Sequence, residues 1–223
     1  MKQLPRKLWS RLMLIFALGG LQGALGWYMV ASGLVDRVDV SQYRLASHLT
    51  LAFVIFAAIV WTAMTLSSQW RKPAAPGTTL AIGFLALILL QVAAGGFVAG
   101  LDAGHASYTW PKMNGALVPD GLNSLSPGWR NAFENALAAQ FNHRIVAYVI
   151  LFYALLQAWR MPSGSAFLLA VAVSAQAGLG ILTIVLQVPL GVALLHQAGA
   201  LIVLALALWH LATLTRARAP DRQ

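Results

Sequence analysis

Apolar residues in this chain do not alternate with polar ones. They come in six long runs, at about 11–34, 43–67, 78–100, 128–158, 164–187 and 189–214. Each exceeds the roughly 18 apolar residues that mark a membrane-spanning helix. Helix-breaking or charged stretches separate them: RKPAAPG at 71–77, MPSG at 161–164 and the long segment 101–127. Pro127 and Pro189 stand where a helix begins, a position whose N–H has no helical partner to lose. The first run follows Lys2, Arg6, Lys7 and Arg11, as a secretory leader would. It is too long for a leader's apolar core and no clear A-x-A site follows, so it is expected to stay as a span.

Composition narrows this reading. Of 223 residues, 59% are hydrophobic and only 9% charged, and the mean hydropathy is +0.72. A soluble domain carries about 25% charged residues, so a soluble globular protein and a disordered chain are both excluded. The expected class is an all-α polytopic membrane protein of six spanning helices. The absence of cysteine rules out disulfides, thiolate metal sites, iron–sulfur clusters and covalently attached c-type haem.

The net charge of +9 reads as basic ends facing the cytoplasm, not as nucleic-acid binding. Six spans put both termini on the same side as the loops near 71 and 161. That side holds ten basic residues: Lys2, Arg6, Lys7, Arg11, Arg71, Lys72, Arg160, Arg216, Arg218 and Arg222. The other side holds five: Arg37, Arg44, Lys112, Arg130 and Arg144. Both termini are therefore expected in the cytoplasm, with the protein in a bacterial inner membrane. Asp36, Asp39, Asp102, Asp120 and Glu134 fall outside, and Asp221 inside. Trp9, Trp70, Trp159 and Trp209 fall near the inner interface, and Trp27, Trp110 and Trp129 near the outer one.

The runs also repeat in pairs. The first, third and fifth contain LQGALG (Gln22, Gly26), LQVAAGG (Gln91, Gly95) and AQAGLG (Gln176, Gly180). Each has Gln-x-x-x-Gly at mid-membrane, and each following run carries a histidine near its outer end: His48, His143 and His196. Repeated pairs place sites at the interface between repeats. The last four runs form one complete four-helix bundle, and the first two form half of another. The boundary is placed at 70/71, giving a helix pair in 1–70 and a four-helix bundle in 71–223.

An ionisable side chain inside a span points to function. The alternative for one histidine is a hydrogen bond between helices, but three in register across repeated pairs favour ligands. Two histidines on facing helices can supply both axial nitrogens of a haem iron. The Gln-x-x-x-Gly segments, with Gly95, Gly96, Gly178 and Gly180, leave flat space for a macrocycle. Zinc competes, but the helix interiors offer no cysteine to complete its site. A proton-relay transporter competes too, but would need carboxylates within the spans. Arg44 and Arg144 are candidates for haem propionates, against the plainer reading of snorkelling arginines. His105, in the 101–127 segment, and His210, about 21 Å along its helix from His196, carry weaker signals. His210 is expected at the membrane interface.

These residues resemble a known family. GGLQGALGWYMVASGL with VSQYRLASHL is similar to the third and fourth helices of the haem A synthase family. GGFVAGLDAGHASYTWPKMNG, FNHRIVAYV, the Gln176–Gly180 segment and LLHQ extend the likeness from about Pro5 to His210. The resemblance implies two similar four-helix bundles in the membrane, of which this chain lacks the first two helices. It implies oxidation of a methyl group of haem O to the formyl group of haem A, for terminal oxidase assembly. A haem b is implied between the residues matching His143 and His196, with His48 as the catalytic histidine of the substrate-haem site. Arg44, Arg144, Gln91 and Gln176 are expected around the cofactors. Expected partners are haem O and haem A, an electron donor protein, and haem O synthase or oxidase assembly factors. A second copy of the chain is a further expected partner, able to supply missing helices. The alternative is a haem b-binding electron-transfer or haem-handling membrane protein without turnover.

Overall fold

The structure is a computed structural model that describes residues 6–31, 40–66 and 76–215. Lys2, Asp36, Arg37, Asp39, Trp70, Arg71, Lys72, Arg216, Arg218, Asp221 and Arg222, used above for orientation and the interface belts, lie outside these residues. The described residues fold into helices α1 (Arg6–Ala31), α2 (Gln42–Thr65), α3 (Pro76–Gly100), α4 (Asn131–Glu134), α5 (Ala136–Arg160), α6 (Gly164–Val185) and α7 (Leu190–Thr215). No strand occurs among them, only one isolated bridge between Met113 and Ala116. All but α4 are long and apolar enough to cross a membrane. A helix of 24 residues is about 36 Å long, enough for a hydrocarbon core of about 30 Å. Lipid offers no hydrogen bonds, so a helix that satisfies its own backbone is the form such runs must take. The protein is an integral membrane protein.

One predicted helix is interrupted. The run expected over 128–158 breaks at Asn135, which is extended at φ −98°, ψ 112°. Its side chain accepts hydrogen bonds from the N–H groups of Leu137 and Ala138, capping α5. Its amide also donates to Gly121 O at 2.8 Å and Ser124 Oγ at 3.1 Å. Asparagine at this position satisfies the orphan donors of a helix start better than it continues a helix. Hydropathy alone runs straight through it.

Each sequence pair is a packed pair: α1 with α2, α3 with α5, and α6 with α7. Helices α3, α5, α6 and α7 close a four-membered ring, with α5 and α7 across its diagonal. Its middle is dry, filled by Phe84, Ile88, Ile150, Leu169, Val173, Val203 and Leu204. Helix α2 joins the outside of this bundle at α3 and α7.

Two glycines make the α2–α3 junction. A Cβ at Gly96 would lie 2.6 Å from Ala46 Cα, and one at Gly100 2.5 Å from Gln42 Cα. Gly96-x-x-x-Gly100 thus lets two backbones touch, which is how membrane helices associate where apolar burial gives no net drive. Helix α1 leans on α2, and among the described residues it buries no side chain.

Candidate functional site

The three Gln-x-x-x-Gly segments do one local job. In each, the glutamine amide crosses to the histidine of the next long helix. Gln22 Nε2 lies 3.2 Å from His48 Nε2 and donates to His48 O at 3.1 Å. Gln91 repeats this on His143, at 3.2 Å from Nε2 and 3.1 Å from the carbonyl. Gln176 lies 3.2 Å from His196 Nδ1 and 2.6 Å from His196 O.

The glycine one turn later makes room for the ring. A Cβ at Gly26, Gly95 or Gly180 would meet the imidazole Cε1 at 3.1, 3.2 or 2.9 Å. The flat space expected beside these glycines is therefore filled at Gly95 and Gly180 by the histidine itself. At Gly96 it is filled by α2, while Gly178 faces open space.

Two of the three histidines meet. The rings of His143 on α5 and His196 on α7 face each other across the bundle diagonal. Their centroids are 6.5 Å apart and their planes at 78°. Each is partly buried. His143 Nδ1 is buried with no hydrogen-bond partner, as is His48 Nδ1. A buried ring nitrogen without a partner is costly. His48 sits with the α1–α2 pair, held by Gln22 and set against Gly26.

The 101–127 segment closes the histidine end of the bundle, and residues flanking His143 hold it there. Gln140 Nε2 donates to Gly104 O and Ser107 O, both at 3.1 Å. Arg144, one turn on, donates to Thr109 O at 2.9 Å, and to Ser107 O and Gln140 Oε1 at 3.2 Å. Its guanidinium is buried and tied to the segment, leaving Nε without a partner. Arg44 instead lies over the Tyr28 ring, 4.4 Å from the centroid, a cation–π contact between α2 and α1. His105 is exposed and bonded through Nδ1 to Tyr108 at 2.9 Å.

Two clusters were not legible as such in the sequence. At the opposite end of the bundle, His210 is fully buried at 1% exposure. It lies 2.8 Å from Gln157 Nε2 and 2.8 Å from Ser165 Oγ, tying α5, α6 and α7 together. The available signal was spacing: Gln157 and His210 each follow a bundle histidine by the same interval, four turns on the same face. The second cluster joins α2 to the stretch before α5. Tyr43 Oη donates to Glu134 Oε1 at 2.9 Å, and Arg130 Nε to Glu134 Oε2 at 2.7 Å. These two partners hold the Glu134 carboxyl below the usual carboxylate range, the Arg130 bond being the larger cause.

Other proteins share this chain's pattern. A family model described as cytochrome oxidase assembly protein matches residues 1–208. A heme A synthase from Parvibaculum lavamentivorans is 46% identical over 220 residues, covering 96% of this chain and 64% of its own length. One from Bradyrhizobium diazoefficiens is 48% identical, covering 99% and 64%. One from Chelativorans sp. is 51% identical, covering 93% and 60%. The chain thus spans under two thirds of the length of these relatives.

Proposed function

The chain belongs to the cytochrome oxidase assembly protein family, and on that premise we propose that it is a haem-binding membrane oxidoreductase of the haem A synthase type. It acts on haem O, converting a methyl group to the formyl group of haem A. Its α3–α7 bundle holds a haem b between His143 and His196, and His48 serves the substrate haem. The unit in 1–70 is then the substrate half and that in 71–223 the haem b half. The protein lies in a bacterial inner membrane with both termini cytoplasmic, and draws on an external electron donor.

The observation that carries this reading is the His143–His196 pair. Two metal–imidazole bonds of about 2 Å each, with two half-rings, span about 6 Å, and the ring centroids are 6.5 Å apart. The donor set also fits: two imidazoles on diagonal helices, the ligand pair that a bis-histidine haem needs. It does not fit a tetrahedral zinc, because no three His, Cys, Asp or Glu side chains converge among the described residues. The haem supplies one-electron redox chemistry. The chain's own residues do the rest: the histidines fix the iron's position, and the 101–127 segment, pinned by Gln140 and Arg144, covers that end. The apolar middle of the bundle keeps water out. Arg44 stands at the same end as His48, available to a propionate on the substrate side.

Pigment analysis of the purified chain tests this. The expected result is haem b with a bis-imidazole spectrum, lost in His143→Ala and in His196→Ala, with haem O or haem A alongside. Haem content unchanged by either substitution overturns it.

A second reading, haem binding without turnover, is favoured by His48, whose polar side-chain contact among the described residues is Gln22. Supplying haem O and a reductant and assaying for haem A separates the two.

A further inference from the structure

We infer that the α2–α3 junction carries a binding site for one phospholipid with an ethanolamine headgroup. None of the histidines takes part, so the site stands or falls apart from the haem reading.

Two spaces meet at Tyr43. The first is a chamber of about 550 Å³ at the helix ends, where Ser41 and Gln42 begin α2, Asp102 follows α3, and Arg130 and Glu134 precede α5. The second is a groove of about 390 Å³. It runs from Tyr43 past Ala46, Leu51 and Val54 on α2, with Ala93 and Phe97 of α3 as its other wall. Polar and charged groups line the chamber, and largely apolar ones line the groove.

Polarity and length both match one leaflet of a bilayer. Tyr43 and Val54 stand about 16 Å apart along the helix axis, and half of a hydrocarbon core of about 30 Å is about 15 Å. A molecule that fills both spaces has a charged head at the helix ends and a chain that descends to the bilayer middle. A phospholipid has that shape. A soluble ion has no use for the groove, and a plain hydrocarbon has none for the chamber.

The charges choose the head. Ser41 makes no side-chain capping bond, so the start of α2 meets the chamber with the partial positive charge of a helix N-terminus. Arg130 bonds Glu134 through Nε at 2.7 Å and Ser126 O through Nη1 at 3.4 Å, and a guanidinium has five N–H donors, so some are left over. Helix start and guanidinium together suit a phosphate. Two carboxylates stand beside them. Glu134 is held by Arg130 and by Tyr43 Oη at 2.9 Å, while among the described residues the Asp102 carboxylate has no hydrogen bond or ion pair. One cation against two carboxylates leaves a negative charge over. A primary ammonium brings three N–H donors to carboxylate oxygens. A trimethylated one brings none, and a glycerol headgroup brings no positive charge. Phosphoethanolamine answers both halves of the chamber.

The test is lipid retention by the full purified chain. It is reconstituted in nanodiscs of equal parts phosphatidylethanolamine and phosphatidylglycerol, released into mild detergent and weighed by native mass spectrometry. One phosphatidylethanolamine should stay with each chain, several-fold in excess of phosphatidylglycerol. Asp102→Asn keeps a residue that tolerates the left-handed backbone there, φ 48°, and leaves the Arg130–Glu134 pair in place. It should abolish the headgroup preference while a lipid is still retained. Ala93→Phe fills the groove and should lower retention of both lipids several-fold. Val54→Phe fills it from α2 and covers the case in which Ala93→Phe does not fold. A parent that retains no lipid, retains both lipids equally or carries another apolar molecule in their place overturns the inference. So does a preference that Asp102→Asn leaves unchanged, or a lipid that both groove variants leave bound.

Discussion

At the scale of single residues, the glycines beside the histidines differ in how much room they have, and this sets a graded prediction. A Cβ at Gly180 would sit 2.9 Å from His196 Cε1, closer than side chains tolerate, while Gly178 faces open space. Gly180→Ala should therefore push the His196 ring and lower haem retention several-fold, whereas Gly178→Ala should bind haem as the parent does. Haem content after extended detergent washing measures both. His210 gives a second test. Its two ring nitrogens are both partnered inside the bundle, so His210→Leu removes both bonds and orphans the Gln157 amide, while Ser165 keeps Ser163 and Thr213. Hydrogen bonds between membrane helices are each worth about 0.6–2 kcal/mol. The variant should lose about 1–2 kcal/mol of stability, read as a lower unfolding midpoint in detergent, with the His143–His196 signal retained. The sequence made the histidines and the Gln-x-x-x-Gly segments visible, because their spacing repeats. It did not make their contacts visible. A period states which face a residue is on, not what stands opposite, so glycines that hold imidazoles looked like glycines that leave space.

At the scale of helices, the Gly96-x-x-x-Gly100 stripe decides whether α1–α2 stays with the bundle. The backbone of α2 lies where a side chain at Gly100 would go, so Gly100→Val must separate the two. Tyr43 on α2 and Phe97 on α3 stand with ring centroids 5.6 Å apart. The chain has no native cysteine, so Tyr43→Cys with Phe97→Cys can be bridged selectively by a flexible bifunctional thiol reagent. The crosslink should form readily in the parent background and drop several-fold with Gly100→Val. Glu134 adds a pH-dependent tie between α2 and the stretch before α5. Its carboxyl is held below the usual range by Arg130 and Tyr43, so the tie is present above the ordinary carboxylate value. It is lost as pH falls through that lowered value. In the parent chain in vesicles, hydrogen exchange at the start of α2 should quicken below that value, and Glu134→Gln should make it insensitive to pH. Element boundaries were largely legible from the runs, because lipid forces long apolar stretches into helices. The exception at Asn135 has a local cause, since a capping side chain overrides the hydropathy that surrounds it.

At the scale of the whole molecule, the two ends of the bundle differ in chemistry. The three histidines lie toward the same ends of α2, α5 and α7, with the 101–127 segment folded over that end, and the His210 cluster lies at the other. The charge count puts the basic side at the His210 end, where Arg160 closes α5 and Arg11 on α1 donates to Thr65. On the proposed reading, with its haem sites opening away from the cytoplasm, cofactors and electrons would reach them from the membrane or from the far side. The positive-inside bias is a statement about insertion, and it can be tested without any haem. Fusions of a reporter at Gly77, before the body of α3, should report a cytoplasmic position. Fusions at Leu117, which is 71% exposed in the long segment, should report the opposite side. A cytoplasmic signal at Leu117 would invert the molecule and move every proposed haem contact to the cytoplasmic face. It would also require both electron delivery and substrate entry to be sought there.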